Sequence, residues 1–199
     1  MAADEDSWIT THDWSQPVDG DHLRLIRSRP GLYAPGGVLH LVLEVVAYAD
    51  DEARELGRRG RCEIVLFPDG SVSVADDGRG TDTRMTTDGR IVRKPVMATR
   101  DLRFFDSREP QLLPDGQPRR GISVVAALSE WLVHTNHRAD GSWQQRYRAG
   151  VPLDGLTSVA SDGRGTTVRF LARDLAPVGR DDLTPATRFE WLDVSCRIA

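Results

Sequence analysis

The sequence predicts an α+β domain in which helices pack against a mixed, mostly antiparallel sheet. Two observations support this class. Residues 37–56 carry apolar side chains at helical spacing, and several shorter β-prone runs are separated by turn signals. The chain has 199 residues, 39% of them hydrophobic, which is enough for one buried core. We therefore expect a single domain.

The composition excludes several functions. A net charge of −4 and a pI near 5.7 do not supply the basic surface that nucleic acid or an acidic membrane requires. No apolar run approaches the roughly 20 residues of a membrane span. The acidic N-terminal stretch does not have the pattern of a signal peptide. We expect a cytoplasmic protein with no direct contact to nucleic acid or membrane.

Cysteine and histidine patterns give no sign of a metal site. Cys62 and Cys196 are too few for a disulfide framework or a Cys-type zinc site, and two reduced thiols are expected, although one bridge stays open. The five histidines form no HExxH pattern, and there is no GxSxG or GxxxxGK[ST] motif. His134 and His137 fall on a predicted strand and are interpreted as ordinary strand residues.

The first elements are an arm and a long helix. Residues 1–20 show no sustained periodicity and are interpreted as an N-terminal arm, so that the folded domain covers residues 21–199. Within residues 37–56 the apolar positions recur every three or four residues and form one buried stripe. A second face of this helix carries Glu44, Tyr48, Asp51 and Glu55. Taken alone, such a face is usually solvated.

The remaining elements follow in order. Two β-prone runs joined at Pro68-Asp69-Gly70 predict a hairpin, and residues 81–120 are interpreted as a long irregular excursion, either a lid or a disordered loop. A second helix is expected from about Ile122 to Leu132. Further strands are predicted at residues 131–137, 142–150 and 166–171, with turns at Asp140-Gly141 and Asp162-Gly163, and a short helical piece and a last strand in residues 181–199.

Five segments occur in the order found in one protein family. Residues 26–33 (IRSRPGLY) resemble the RKRPGMY motif of gyrase B and topoisomerase IV ATPase domains, and residues 39–46 resemble the helix that follows it. Residues 71–80 (SVSVADDGRG) are similar to the adenine-binding motif of that family. Residues 123–129 resemble the helix after its glycine-rich lid, and residues 165–170 (GTTVRF) its late strand.

The resemblance implies a fold and its limits. The fold would be a GHKL (Bergerat) two-layer sandwich, with a mixed, mostly antiparallel sheet and helices on one face. Residues 81–120 would then form a degenerate lid. The transducer domain, which supplies a lysine to the γ-phosphate in this family, and the DNA-cleavage domain are both missing from the sequence. Topoisomerase activity of this chain alone is therefore not expected.

The adenine side of the family's site is matched. Asp76 matches the aspartate that accepts a hydrogen bond from the adenine amino group, and Thr166 matches the threonine that supports a water beside it. Val46 falls on the helix that lines the pocket. Gly78 and Gly80 would let the backbone approach the base closely, because glycine has no Cβ.

Two arginines extend this match. Arg79 and Arg138 match residues that contact coumarin-type inhibitors in the family. Arg138 could equally be an ordinary surface arginine. The resemblance thus implies ATP or an adenine-like ligand as the bound molecule.

The phosphate and metal side departs from the family. Glu44 matches the general base that activates the attacking water, but the magnesium-binding asparagine one turn later is replaced by Tyr48, a poor ligand, which argues against a bound Mg²⁺ ion. Residues 115–121 read DGQPRRG in place of a GGLHGVG phosphate cradle. The lost glycines and a proline disfavour that cradle. Arg119, Arg120 and Gly121 could still contact phosphate, or could form an exposed basic turn.

Three functions are compatible with this pattern. The first is a ligand-binding or regulatory module, related to type II DNA topoisomerases, that recognises an adenine-like molecule without hydrolysis, in effect a pseudo-ATPase. The second is a divergent Mg²⁺-dependent ATPase with Glu44 as the base. The third is a scaffold that forms a homodimer or binds a gyrase subunit through residues 1–20.

Overall fold

The structure is a computed structural model that describes residues 18–81, 83–85, 91–93, 96–105, 110–138, 141–160 and 163–199. Most of the predicted N-terminal arm lies outside the described residues, as do parts of the predicted lid. Asp140 and Asp162, the first residues of two predicted turns, also lie outside them.

The helices lie mainly in the first two thirds of the chain. They are α1 (Gly20–Ser28), α2 (Pro30–Tyr33), α3 (Val38–Glu55), α4 (Leu102–Phe105), α5 (Ile122–Leu128) and a 3₁₀ helix at Asp181–Arg188. The long amphipathic helix predicted from periodicity is confirmed as α3. In the described ranges no helix has the length and apolar character needed to cross a membrane.

Ten strands are present in the described ranges. They are β1 (Gly60–Leu66), β2 (Val72–Asp76), β3 (Thr83–Met85), β4 (Ile91–Arg93), β5 (Trp131–Arg138), β6 (Gly141–Arg148), β7 (Val151–Pro152), β8 (Thr157–Ser158), β9 (Gly165–Leu171) and β10 (Leu192–Ile198). The main sheet has the order β10-β1-β2-β9-β5-β6-β7, with β8 also paired to β6, while β3 and β4 form a separate pair. Among the strand pairs of the described ranges only β1 and β10 run parallel, so the predicted mixed, mostly antiparallel sheet is confirmed.

The sheet topology brings three distant residues to one end of the sheet. Strand β2 ends at Asp76, and Ala75 pairs with Thr167 of β9. Thr166 in turn pairs with Asn136 near the end of β5. The end of β2, the start of β9 and the end of β5 therefore meet at the same end of the sheet.

The core lies between the helices and one face of the sheet. Leu41, Leu43 and Val46 of α3 are fully buried, as are Ile64 of β1 and Phe170 of β9. They belong to a single hydrophobic cluster that includes residues of α1 and α5. This arrangement is the two-layer sandwich expected from the sequence.

Two local predictions need correction. The helix expected to run to about Leu132 ends at Leu128, because Ser129 is extended and β5 begins at Trp131. The interpretation of residues 81–120 as wholly irregular is also wrong, since β3, β4 and α4 lie within them. Cys62 and Cys196 are both free thiols.

Candidate ligand-binding site

Asp76 lies at the centre of the candidate site. Its Oδ1 atom accepts hydrogen bonds from the backbone amides of Gly78, at 2.8 Å, and Thr166, at 3.3 Å. No donor among the described residues is hydrogen-bonded to its Oδ2 atom. Burial raises the pKa of Asp76 to about 6, although both backbone hydrogen bonds oppose the shift. One oxygen is thus held by the fold while the other can accept a hydrogen bond.

The start of β9 approaches Asp76 closely because of a glycine. Gly165 has φ of +109°, and a Cβ atom there would lie 1.9 Å from the carbonyl oxygen of Asp76. Only glycine fits such a contact. This close approach brings the amide of Thr166 within reach of the Asp76 carboxylate. Val46, also predicted for this pocket, is fully buried on α3.

The two glycines after β2 fill tight positions in the chain. A Cβ on Gly78 would lie 2.7 Å from Cγ of Glu52, and one on Gly80 would lie 2.5 Å from Oδ1 of Asn136. Both glycines are therefore required by packing within the chain, whatever ligand is bound. Their predicted contact with a base stays a prediction.

Asn136 is a site residue that the sequence interpretation missed. Its side chain is fully buried, and its Oδ1 accepts a hydrogen bond of 2.6 Å from the amide of Thr81. Its Nδ2 donates to the carbonyl of the same residue at 3.4 Å. The amide side chain thus fixes the backbone that follows Gly80. The available signal was a polar residue at an inward position of a strand.

The two predicted arginines flank this backbone. Arg79 is half-exposed and binds Glu52 through its Nε at 2.7 Å, its NH2 at 3.0 Å and its own amide at 3.0 Å. It also forms an ion pair with Glu55 at 3.0 Å. Arg138 is half-buried and donates to the carbonyl of Gly80 at 3.4 Å. The structure brings both side chains to the border of the candidate site.

Glu44 is bound by the chain itself. Its carboxylate is fully buried. Oε1 accepts a hydrogen bond of 2.5 Å from the amide of Arg120, and Oε2 accepts one of 2.9 Å from the amide of Gly121. Glu44 therefore does not belong to a solvated helix face. Both of its oxygens are used by the segment that precedes α5.

That segment, residues 110–121, is named the plug. It folds back on itself through a bridge between Leu112 and Pro118, and the amide of Leu113 donates to the carbonyl of Gln117 at 2.8 Å. The side chain of Asp115 accepts a hydrogen bond of 2.9 Å from the amide of Gln117. The plug is thus a compact turn that lies against α3.

His40 ties the plug to α3 at a second point. Its Nδ1 lies 2.9 Å from Oδ2 of Asp115, and its Nε2 lies 3.5 Å from Oε1 of Glu44. Burial lowers the pKa of His40, but hydrogen bonds to Glu44 and Asp115 and their charges outweigh that effect and raise it above its ordinary value. The imidazole is therefore placed between two carboxylates.

Tyr48 occupies the position where the resemblance expected a magnesium-binding asparagine. Its hydroxyl donates a hydrogen bond of 2.8 Å to Asp101, and its ring lies edge-on to Phe104 with centroids 6.4 Å apart. Burial raises the pKa of the Tyr48 phenol far above its ordinary value. The phenol is thus a neutral donor. No cluster of three or more His, Cys, Asp or Glu side chains suited to a metal occurs in the described part of the chain.

Arg119 is buried between the plug and α3. Its side chain is only 1% exposed and forms an ion pair of 2.8 Å with Asp51. The guanidinium lies 4.4 Å from the ring centroid of Phe104 and 4.8 Å from that of Tyr48. An exposed basic turn is therefore ruled out for Arg119. Its predicted contact with phosphate stays a prediction, as does that of Arg120, whose side chain is half-buried.

Comparisons with known proteins agree with the fold and the motifs. The DNA gyrase B protein of Thermotoga maritima is 36% identical over 157 residues, which cover 74% of this chain and 24% of the relative. That of Archaeoglobus fulgidus is 38% identical over 162 residues, covering 75% and 25%. That of Synechocystis is 37% identical over 167 residues, covering 80% and 15%. The chain thus spans about a quarter or less of the length of these relatives.

A solved structure has the same fold. The topoisomerase IV ATP-binding domain of Francisella tularensis, in complex with a small-molecule inhibitor, superposes with a TM-score of 0.65 at 22% identity, covering 88% of this chain and 89% of that one. No protein-family model matches the chain.

Fold and site together define a GHKL-type α+β domain. The chain belongs to the family of ATP-binding domains found in DNA gyrase B and topoisomerase IV.

Proposed function

We propose that this domain is a ligand-binding or regulatory module that recognises an adenine-like ring at Asp76 and does not hydrolyse ATP. One contrast supports the proposal. Asp76 keeps one carboxylate oxygen without a hydrogen bond among the described residues, whereas both oxygens of Glu44 accept backbone amides. The ring-binding group is therefore available, and the group that would activate water is occupied.

The occupied carboxylate argues against hydrolysis on chemical grounds. A general base must lie within hydrogen-bond reach of the water whose proton it accepts. Glu44 is fully buried and already accepts two amides. Phosphoryl transfer also relies on a metal that neutralises the developing charge. The neutral phenol of Tyr48, bonded to Asp101, is not suited to Mg²⁺.

Calorimetric titration tests the proposal directly. Adenosine, ADP, ATP and a coumarin inhibitor are titrated into the protein with and without Mg²⁺, and the titrations are repeated with Asp76→Asn. We expect adenosine to bind, independently of Mg²⁺, and to lose affinity in Asp76→Asn. Asp77→Asn is the matched control, because this neighbouring carboxylate is bound by Arg58 and by the amide of Arg61. Equal loss in both variants, or no adenosine binding, would contradict the proposal.

A divergent Mg²⁺-dependent ATPase is the second candidate. The placement of His40 favours it, since Nε2 lies 3.5 Å from the carboxylate of Glu44 on the helix where the family has its base. In this case the protein would release phosphate steadily, and Glu44→Ala would abolish the release. Absence of turnover with ATP and Mg²⁺ in excess would exclude it.

The third function, a scaffold that forms a homodimer or binds a gyrase subunit, stays a prediction. The arm invoked for it lies largely outside the described residues. Sedimentation of the chain with and without residues 1–20, alone and with gyrase, would test it.

A further inference from the structure

We propose that the plug, anchored by Glu44 and Asp51, excludes ligand phosphates, so that the site accepts an uncharged nucleoside or free base and discriminates against nucleotides. This inference rests on the proposed function of Asp76. It assigns Glu44 a role opposite to that of a catalytic base. Glu44 would be a specificity-determining residue that holds the plug where phosphates would otherwise lie.

The first step concerns the amides at the end of the plug. The N–H groups of Arg120 and Gly121 converge on the two oxygens of one carboxylate, at 2.5 and 2.9 Å. Each N–H has a single hydrogen, so a ligand phosphate could use these donors only by displacing Glu44. Hydrogen bonds to an ionised acceptor are about twice as strong as neutral ones. The displacement would also leave Glu44 buried without these partners.

The second step concerns the anchoring face of α3. His40, Glu44 and Asp51 contact Asp115, the amides of Arg120 and Gly121, and the guanidinium of Arg119, respectively. Positions 40, 44 and 51 project from one side of a helix, since they are separated by four and seven residues. The plug therefore covers this face at its turn, its end and its buried arginine.

The third step concerns charge. The charged or titratable groups around the plug are the carboxyl groups of Glu44, Asp51, Asp101 and Asp115, the guanidinium groups of Arg103 and Arg119, and the imidazole of His40. The cations are already paired with these carboxylates. A phosphate would add negative charge where acidic groups outnumber permanent cations, and in a region of low polarity this repulsion is costly. An uncharged ligand avoids that cost.

Binding and amide exchange test the inference with isosteric variants. Glu44→Gln keeps the side-chain volume but replaces one acceptor oxygen with a donor that opposes an amide. Asp115→Asn loosens the plug at its turn and serves as a second variant if Glu44→Gln does not fold. The matched control is Glu63→Gln, which removes an exposed pair with Arg197 on β1. Adenosine, ADP and inorganic pyrophosphate are titrated, and hydrogen exchange is followed at the amides of residues 120 and 121.

The wild type and the control should bind adenosine more tightly than ADP and should not bind pyrophosphate. In Glu44→Gln the affinity for ADP relative to adenosine should rise at least about tenfold, pyrophosphate should bind, and the two amides should exchange at least about tenfold faster. An unchanged ADP-to-adenosine ratio, or wild-type protein that prefers ADP, would overturn the inference. Unchanged exchange at residues 120 and 121 would overturn the anchoring role of Glu44 even if no ligand bound, whereas failure of adenosine to bind the wild type would contradict the proposed function.

Discussion

The hydroxyl of Tyr48 donates a 2.8 Å hydrogen bond to the carboxylate of Asp101, and this contact joins the middle of α3 to the residue before α4. Asp101 also accepts bonds from Arg103, at 3.0 Å from Nε and 2.7 Å from NH2. The place where the resemblance expected an amide ligand for magnesium is thus filled by a hydrogen-bonded group of protein side chains.

Tyr48→Phe should lower the free energy of unfolding by about 1–2 kcal/mol, because it removes a hydrogen bond to a buried carboxylate. Combined with Asp101→Asn it should show a coupling energy of at least about 0.5 kcal/mol in a double-mutant cycle. Urea unfolding of the wild type, the two single variants and the double variant measures both quantities. Strictly additive effects would mean that the two side chains do not act together.

Arg119→Met should cost about 2–3 kcal/mol of unfolding free energy. The substitution keeps an apolar stem between the two aromatic rings but removes the partner of Asp51, which is 20% exposed and so only partly desolvated. Arg173→Met is the control, since its pair with Glu130 is exposed and should be worth less than about 1 kcal/mol. Chemical denaturation of both variants gives the comparison, and equal losses would contradict a buried structural role for Arg119.

Adenosine binding should weaken as the pH falls from about 7.5 to about 5. The pKa of Asp76 is about 6 in the free protein, and only the ionised carboxylate accepts a hydrogen bond from the ring at both oxygens. One pH unit below the pKa, affinity should be roughly tenfold lower. Titration calorimetry at several pH values measures this, and Asp76→Asn should bind weakly with a flat profile. A flat profile in the wild type would exclude Asp76 as the acceptor.

The same shift affects folding with a defined sign. The pKa of Asp76 is raised from 3.8 to about 6, so between these values the folded protein binds more protons than the unfolded chain. The contribution of Asp76 to stability therefore decreases as the pH rises through about 6. Asp76→Asn should remove this component from the pH dependence of urea unfolding, whereas Asp77→Asn should keep it.

The plug should loosen at high pH because of His40. Its pKa is raised above 6.5 in the folded state, so its stabilising contribution is complete below about 6.5 and is lost as the pH rises through the raised value. Amide exchange in residues 110–121 should therefore become faster with pH by more than the intrinsic chemistry explains. His40→Gln should abolish this extra dependence, and His137→Gln on β5 should retain it. An identical profile for His40→Gln and the wild type would exclude His40 as the titrating group.

Local sequence patterns predicted the elements that have strong periodicity. The apolar stripe predicted α3, the Pro68-Asp69-Gly70 turn predicted the β1–β2 hairpin, and the β-prone runs predicted β5, β6, β9 and β10. Helix α1 was missed because it is short and largely polar, and its start depends on a cap in which Asp19 accepts the amide of His22 at 3.0 Å. Strands β3 and β4 have three residues each, too few for a period to be visible.

The sequence by itself determined the two-layer fold, the relationship to gyrase B, and the positions of Asp76 and Thr166 at the ends of adjacent strands, because those depend on motifs and local periodicity. Only the tertiary structure decided what surrounds Glu44 and Tyr48. Their partners lie 53 to 77 residues away along the chain. A glutamate, a tyrosine and an arginine have the same local appearance whether they meet water, phosphate or one another, and only the packing of the plug against α3 selects among these.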